Sequence, residues 1–463
     1  MSEPGCMFGE LPEQAADERP EVAPAAPRLR EPQRDQIELR VVDLNGLLPL
    51  DHPARAVWAF VEQLDLSPLL DAIKAREGEP GHPPANPQIP MALWLYATIE
   101  AVGSARSLAR LCEMHVAYQW ICGGVSMNYH TLSDFRVVHV ALLDRLLAQG
   151  VAALVAEGLV QLERLAQDGV RVRASAGAAS YRRRPRLEKL LREAEARVAA
   201  LKAELESDPA AGSARQRAAR ERAARERVER TNAALERMKE LEAERARRAK
   251  THKQDTAKQK EPRASTTDAE ARVMKMADGG FRPAYNGQLA SDPETQVIVA
   301  VDIDTTGSDH GLIGPMQEQI RASYGQAPKQ YLVDGGFTKL EDIEKAHAEG
   351  IEVFTPPPNN KHETDPFAPR KGDGPGAAAW RKRMSSEDGK AIYRRRAKAE
   401  CVNADLRNRG LQRLLLRGQD KVRAVLLWFA VAHNLMRAVT LRAAAAKAAA
   451  QGQSVSRACQ ATC

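Results

Sequence analysis

An α/β pattern starts in this chain, stops, and resumes only after a long charged interruption. That break limits the available folds more than any other feature. Leu165–Ala176, LAQDGVRVRASA, is the first stretch of alternating apolar and charged side chains, with Val170 and Val172 set between Arg171 and Arg173 behind an Asp168-Gly169 turn. Period-two alternation of this kind is a strand signal. From Ser265 onward, TQVIVAVDIDTTGSDHG reads as a buried strand with a polar end, and GLIGPMQEQIRASYG as an amphipathic helix. QYLVDGGF then reads as a strand ending in Asp334-Gly335-Gly336, Leu340–Glu349 as a helix, and IEVFTPPP as another strand. Residues 356–390, with PPPNNKHETDP and KGDGPG, read as a long irregular loop, and Gln419–Ala438 as a core helix.

The interruption has its own logic. Leu187, Leu191, Ala194, Val198, Leu201 and Leu205 recur at steps of four and three, a heptad seam. SDPAAGS breaks the seam, and a second helix rich in Arg, Glu and Ala follows to about Ala249. The expectation is an antiparallel helical hairpin, a coiled coil over 181–262, inserted into one α/β domain made of 160–180 and 265–440. Arg182, Arg183 and Arg184 at its base, with Arg245, Arg247, Arg248 and Lys250 near its return, are either solvated charge or a patch for phosphate.

Residues 1–44, rich in Pro, Glu, Ala and Arg, read as a disordered leader. Residues 45–150 carry helical patterns parted by Pro and Gly, which predicts an all-α N-terminal domain. Within it, Ser104–Met114 and Thr131–His139 read as a helix-turn-helix-like unit. Ser104, Arg106, Ser107, Arg110, His130, Ser133 and Arg136 are its candidate phosphate contacts, and an ordinary bundle with surface arginines explains the same pattern. An Ala-rich tail, 441–463, shows low complexity. A charge of +7 and a pI near 9.1 favour a polyanionic partner. No signal-peptide pattern opens the sequence and Ala424–Ala432 is its longest apolar run, so a cytoplasmic protein with no membrane partner is expected, nucleoid-associated if its polyanion is DNA. Cys6, Cys112, Cys122, Cys401, Cys459 and Cys463 show no C-x-x-C spacing, and are expected as reduced thiols.

Ala391–Leu411, AIYRRRAKAECVNADLRNRGL, reads as one helix bracketed by Gly389 and Gly410. At about 100° per residue, Tyr393, Arg396, Glu400, Asn403 and Arg407 fall within a stripe roughly 80° wide. Ile392, Ala399, Val402 and Leu406 form an apolar stripe beside it. A solvated charged face is the plain reading of such a row. The spacing Tyr–x2–Arg–x3–Glu–x6–basic also resembles the signature helix of bacterial insertion-sequence DDE transposases, with Arg407 where that family usually has Lys. Residues 45–140 resemble the InsH-type N-terminal domain of the same transposases.

This resemblance implies an α/β RNase H-like catalytic domain, and the order of predicted strands and helices agrees. It makes Asp168, Asp334 and Glu400 the catalytic carboxylates, holding two Mg2+ ions, or Mn2+ in their place. The family commonly has Thr after the first Asp-Gly, where this chain has Val170. Two hard cations beside DNA activate a nucleophile and stabilise the leaving oxygen, and carboxylates suffice to hold them. Arg396 and Arg407 would grip phosphates and Tyr393 would stack on a base or sugar. The implied partners are terminal inverted repeats, target DNA and further copies of the chain. Asp268, Asp292, Asp302, Asp304 and Asp309 compete as ligands, because they lie in the same α/β region. An RNase H-like nuclease without strand transfer and a non-catalytic DNA-binding coiled-coil protein are the alternatives.

Overall fold

The computed structural model describes residues 43–76, 83–207, 213–251, 261–358 and 365–451. Nearly all of the expected leader, the tip of the expected hairpin, Cys6, Cys459, Cys463 and the end of the tail lie outside these residues, as do the side chains of Arg248 and Lys250. Two helices are apolar on every side and the rest of the fold gathers around them. In α3 (Gln88–Ile99) all residues from Ile89 to Thr98 are buried, and in α15 (Gln419–Ala450) those from Ala424 to Leu435 are. A helix without a polar face must be covered all round. Around them lie α1 (Pro53–Glu62), α2 (Ser67–Asp71), α4 (Ala105–Met114), α5 (Val116–Cys122), α6 (Tyr129–Val138) and α7 (Val140–Ala156). By length and hydropathy α15 is apolar enough to cross a membrane, yet 78% of its apolar window is buried inside the protein. It is a core helix, and it runs on well past Ala438 because Leu441 and Ala448 are also buried.

The N-terminal helices share this core with the sheet. Trp94, Leu143 and Trp428 belong to the same apolar cluster as Val170, Val172, Tyr285 and Ile303. Residues from Leu44 onward accordingly pack as one unit. Arg136 serves that packing. It is buried, donates to the Gly103 carbonyl at 2.6 Å and stacks 4.5 Å from the Trp94 ring centre. Burial pulls its pKa down to about 10. The expected DNA contact at Arg136 is therefore corrected: the guanidinium is an internal fastener. Arg106 and Arg110 are exposed one turn apart on α4, and the Ser104 side chain caps that helix by accepting from the Ser107 N–H.

The sheet is mixed. Its central strand β1 (Arg164–Arg173) pairs antiparallel with β5 (Phe281–Ser291) and parallel with β7 (Gln330–Leu332), which pairs parallel with β8 (Glu352–Phe354). On its other edge β5 carries β6 (Ile298–Asp304) and the short β4 (Arg272–Lys275). A minor pair, β2 (Tyr181–Arg182) with β3 (Ala264–Ser265), closes the mouth of the insertion. Asp168-Gly169, expected as a turn, sits mid-strand in β1. The ladder tolerates this because an added Cβ at Gly169 would lie 2.7 Å from Asp309 Oδ1 and 3.0 Å from both Asn286 Oδ1 and Gln288 Nε2. Glycine makes room there for polar side chains rather than for a bend.

Between β2 and β3 run α8 (Arg184–Ser207) and α9 (Ala214–Thr251), packed against each other. Leu187 and Ala194 are buried at the root, whereas Leu205 near the far end is 46% exposed. Past β6 come α10 (Ile313–Tyr324) and α11 (Leu340–Ala348). The expected loop 356–390 instead contains α12 (Pro375–Ser385) and the start of α13 (Glu387–Arg394). Trp380 is fully buried with Nε1 donating to the Thr355 carbonyl at 2.9 Å, and Glu344 caps α12 by accepting from the Gly376 and Ala377 N–H groups. A Gly- and Pro-rich sequence hid a helix whose anchors lie elsewhere in the chain.

Candidate active site

Strand register brings the first two acids together. Ala166 of β1 lies opposite Leu332, the last residue of β7; Asp168 continues β1 while Asp334 stands two residues past the end of β7, near enough for its charge to act on Asp168. Asp334 follows β7 and turns back on itself: its Oδ1 accepts from the Gly336 N–H at 2.7 Å. Asp168 Oδ2 accepts from Asn403 Nδ2 at 2.7 Å. Burial pushes the Asp168 carboxyl up to about 6. Arg396 pulls against that shift and the charge of Asp334 adds to it.

The third acid comes from the expected signature helix, which is broken. The α-helical hydrogen bonding stops at Arg395–Arg396, where i to i−3 hydrogen bonds link Arg395 to Ile392 and Arg396 to Tyr393, and α14 (Ala397–Asn408) begins. Gly389 lies inside α13 rather than before it. Ser386 is the cap, and a Cβ at Gly389 would overlap the Arg383 carbonyl oxygen. Gly410 does end α14, with φ of 97°. Ala399, Val402 and Leu406 are buried as the apolar stripe. Beside them Arg396 reaches between the acids, with Nη2 2.6 Å from Glu400 Oε1 and Nη1 3.7 Å from Asp168 Oδ1. Burial disfavours the Arg396 charge, yet Tyr393, Asp168, Glu400 and Asp334 together hold its pKa above the usual value. Tyr393 is half-buried, its ring centre 6.0 Å from the Arg396 guanidinium carbon, and Arg407 is exposed further along α14.

One guanidinium thus touches two of the three predicted carboxylates and feels the third. Among the described residues no three acid, His or Cys side chains converge closely enough to hold a metal ion as they stand. The donor set nevertheless suits a hard divalent cation. It is all carboxylate oxygen, Asp168 is ionised at a cost, and the buried Asn403 Oδ1 beside it has no hydrogen-bond partner.

The competing acids have other work. Asp304 accepts from the Thr306 and Gly307 N–H groups, Asp292 from Glu294 and Thr295, and Asp268 from the Tyr285 hydroxyl. Asp302 lies 3.7 Å from Arg423 Nε. Asp309 differs, since its carboxylate accepts from Asn286 and Gln288 under Gly169 and lies 3.8 Å from where a Gly336 Cβ would be. It fills the space that a side chain at Gly169 would take and lies near Gly336, two residues after Asp334. Sequence reasoning held Asp309 only as one competitor among five. It placed Asn403 in the polar stripe without assigning it Asp168. Residues 246–435 match a family described as Transposase DDE domain, and residues 42–137 match one described as Transposase domain (DUF772).

This chain is an insertion-sequence DDE transposase.

The two matches together cover more than half of the transposase. The first contains Asp334 and Glu400 but begins after Asp168, which the inserted helices separate from them in sequence. A DDE domain carries the RNase H-like fold, and the mixed sheet of the transposase, with its helical N-terminal half, agrees with it. Members of the family are metal-dependent enzymes that cleave DNA. No curated protein and no solved structure matches the chain.

Proposed function

We propose that the transposase cuts DNA at the ends of its insertion sequence and joins the freed 3′-hydroxyl to target DNA, with Asp168, Asp334 and Glu400 as the catalytic carboxylates. The observation that carries this reading is that the Arg396 guanidinium lies against Asp168 and Glu400 and also feels the charge of Asp334. Asp168 and Asp334 would hold two divalent ions, Mg2+ in the cell or Mn2+ in its place, from the sheet, and Glu400 would close the set from α14. When bound, such ions make a water or 3′-hydroxyl nucleophilic and stabilise the leaving oxygen.

The remaining residues bind and orient. Arg396, released from the carboxylates, turns its fork to a phosphate of the cut strand, where bidentate geometry suits it. Arg407, two turns beyond Glu400 and exposed, takes a phosphate further along, and Tyr393 packs on a sugar or base. Asn403 donates to Asp168 and keeps that carboxylate facing α14. Arg106 and Arg110 on α4 are offered as contacts to phosphate outside the cut. The paired helices α8 and α9 are read as the inserted coiled-coil hairpin within residues 181–262. The domains follow as 45–150, then 160–180 with 265–440, and a tail from 441. Terminal inverted repeats, a homo-oligomer assembled on DNA and a place at the nucleoid in the cytoplasm complete the reading.

Incubating the protein with a labelled element end, plasmid target and Mg2+ tests it. Joined products are expected, and they should vanish with Asp334→Asn and with Glu400→Gln. Nicked ends without joined products would leave a nuclease, and unchanged products in both variants would end the assignment.

A further inference from the structure

The active site does not account for the groove at the root of the inserted helices. It encloses about 900 Å³ between the mouth of the insertion, one face of α9 and strand β4. Its charged lining is Arg183, Arg237, Arg245, Arg263 and Arg272 against Glu244 and Glu261. Both acids are already engaged, Glu261 by Arg183 at 2.7 Å and Glu244 by Arg272 at 3.2 Å. Arginines thus outnumber acids five to two in the lining, with Arg237 also paired to Glu240 outside it. Arg272 Nη1 is buried in its wall without an acceptor. On α9, Arg237 and Arg245 are eight residues apart on one face, about 12 Å along the axis, which spans about three to four phosphates of one DNA strand. Val273, 44% exposed, gives the floor an apolar spot against which a sugar can rest.

Position matters as much as charge. Arg237 Nη2 donates to Thr305 Oγ1 at 3.2 Å, fixing α9 to the loop that leads from β6 to α10. That same loop carries Asp309, whose carboxylate lies under Gly169 and near Gly336. The groove wall and the platform of Asp168 and Asp334 are thus joined through one short segment. We infer that the root of the insertion is a second DNA-binding site, one that grips the phosphate backbone without reading sequence and extends the path of the strand beyond the catalytic acids. This rests on the transposase acting on DNA, as proposed above.

The test is fluorescence anisotropy of full-length protein with a labelled duplex of arbitrary sequence, titrated with KCl between about 50 and 200 mM. Each phosphate that an arginine no longer neutralises lowers the slope of log affinity against log salt by about one. The Arg183→Ala, Arg245→Ala, Arg263→Ala triple variant should lower that slope by about two, since Arg183 is already paired with Glu261, and weaken binding at ~0.1 M salt on the order of 10- to 100-fold. The corresponding triple Lys variant should keep most of both. If the Ala triple melts early, the single Arg263→Ala change, at an exposed position, should still lower the slope by about one. A parent that binds DNA with a slope unmoved by these changes overturns the groove and leaves the catalytic reading standing. A change in oligomeric mass with the slope unmoved overturns it in favour of a contact between chains. A parent that binds no DNA at all brings down both readings.

Discussion

Two regions supply the three carboxylates, and they do so by different means. Asp168 sits within β1 and Asp334 just past the end of the neighbouring parallel strand β7, and burial first of all pushes the Asp168 carboxyl up to about 6. Glu400 stands on α14, exposed, and its side-chain partner is Arg396 one turn earlier. The sheet holds at Asp168 a charge that burial disfavours. The helix offers the third from a position that can move with a single rotamer. A site of this kind separates rigidity from adjustment: the platform is built by the ladder, and closure is left to a side chain and its arginine.

The sharpest way to break this contrast is Glu400→Gln. Strand cleavage should fall by on the order of 10³-fold or more. Because Glu400 is exposed, unfolding free energy in urea should stay within about 0.5 kcal/mol of the parent. A variant that lost both activity and stability would place Glu400 in the framework rather than at its edge. Next in size is Arg136→Ala, which removes a buried guanidinium from Trp94 and the Gly103 carbonyl and should cost about 2–4 kcal/mol while leaving the salt dependence of DNA binding unchanged. A changed salt slope with intact stability would return Arg136 to the DNA-facing surface.

Gly169→Ala probes the strand platform directly. The new methyl meets Asp309 Oδ1 at 2.7 Å, and the crowding should cost about 1–3 kcal/mol, read as a lower urea midpoint. The smallest effect expected is a gain. A carboxyl raised in the folded state stabilises the fold fully below its unfolded pKa near 3.8, and that stability is lost as pH rises to about 6. In metal-free buffer, Asp168→Asn should therefore melt higher than the parent at pH 7, by about 1–2 kcal/mol, with the difference fading towards pH 4. A variant equally stable at both pH values would show that Arg396 already offsets the burial of Asp168.

What could be read from residues alone was mostly local periodicity. Strands β1, β6 and β7, the seam of α8 and the apolar stripe of Ala399, Val402 and Leu406 all announce themselves within a dozen neighbours. The helix break at Arg395–Arg396 does not, because Arg-Arg-Arg-Ala-Lys-Ala is made of good helix formers and nothing local marks an interruption. Nor does α12, whose turn-rich sequence is folded by Glu344 and Thr355 from earlier in the chain. Gly389 and Gly169 were legible as glycines and misread as punctuation. At Gly169 a Cβ would collide with Asp309 from far along the chain, and at Gly389 with the Arg383 carbonyl at the end of the preceding helix.

By itself the sequence determined the kinds of element, their order around a charged interruption, and the type of acid available at Asp168, Asp334 and Glu400. Tertiary structure alone decided that Asp168 feels the charge of Asp334, that Arg396 lies against Asp168 and Glu400, that Asn403 donates to Asp168 while Asp309 sits under Gly169, and that Arg136 turns inward. The reason is range. Periodicity acts through a turn or two of chain, whereas register, burial and charge pairing join residues far apart in sequence, and only a folded backbone sets those distances.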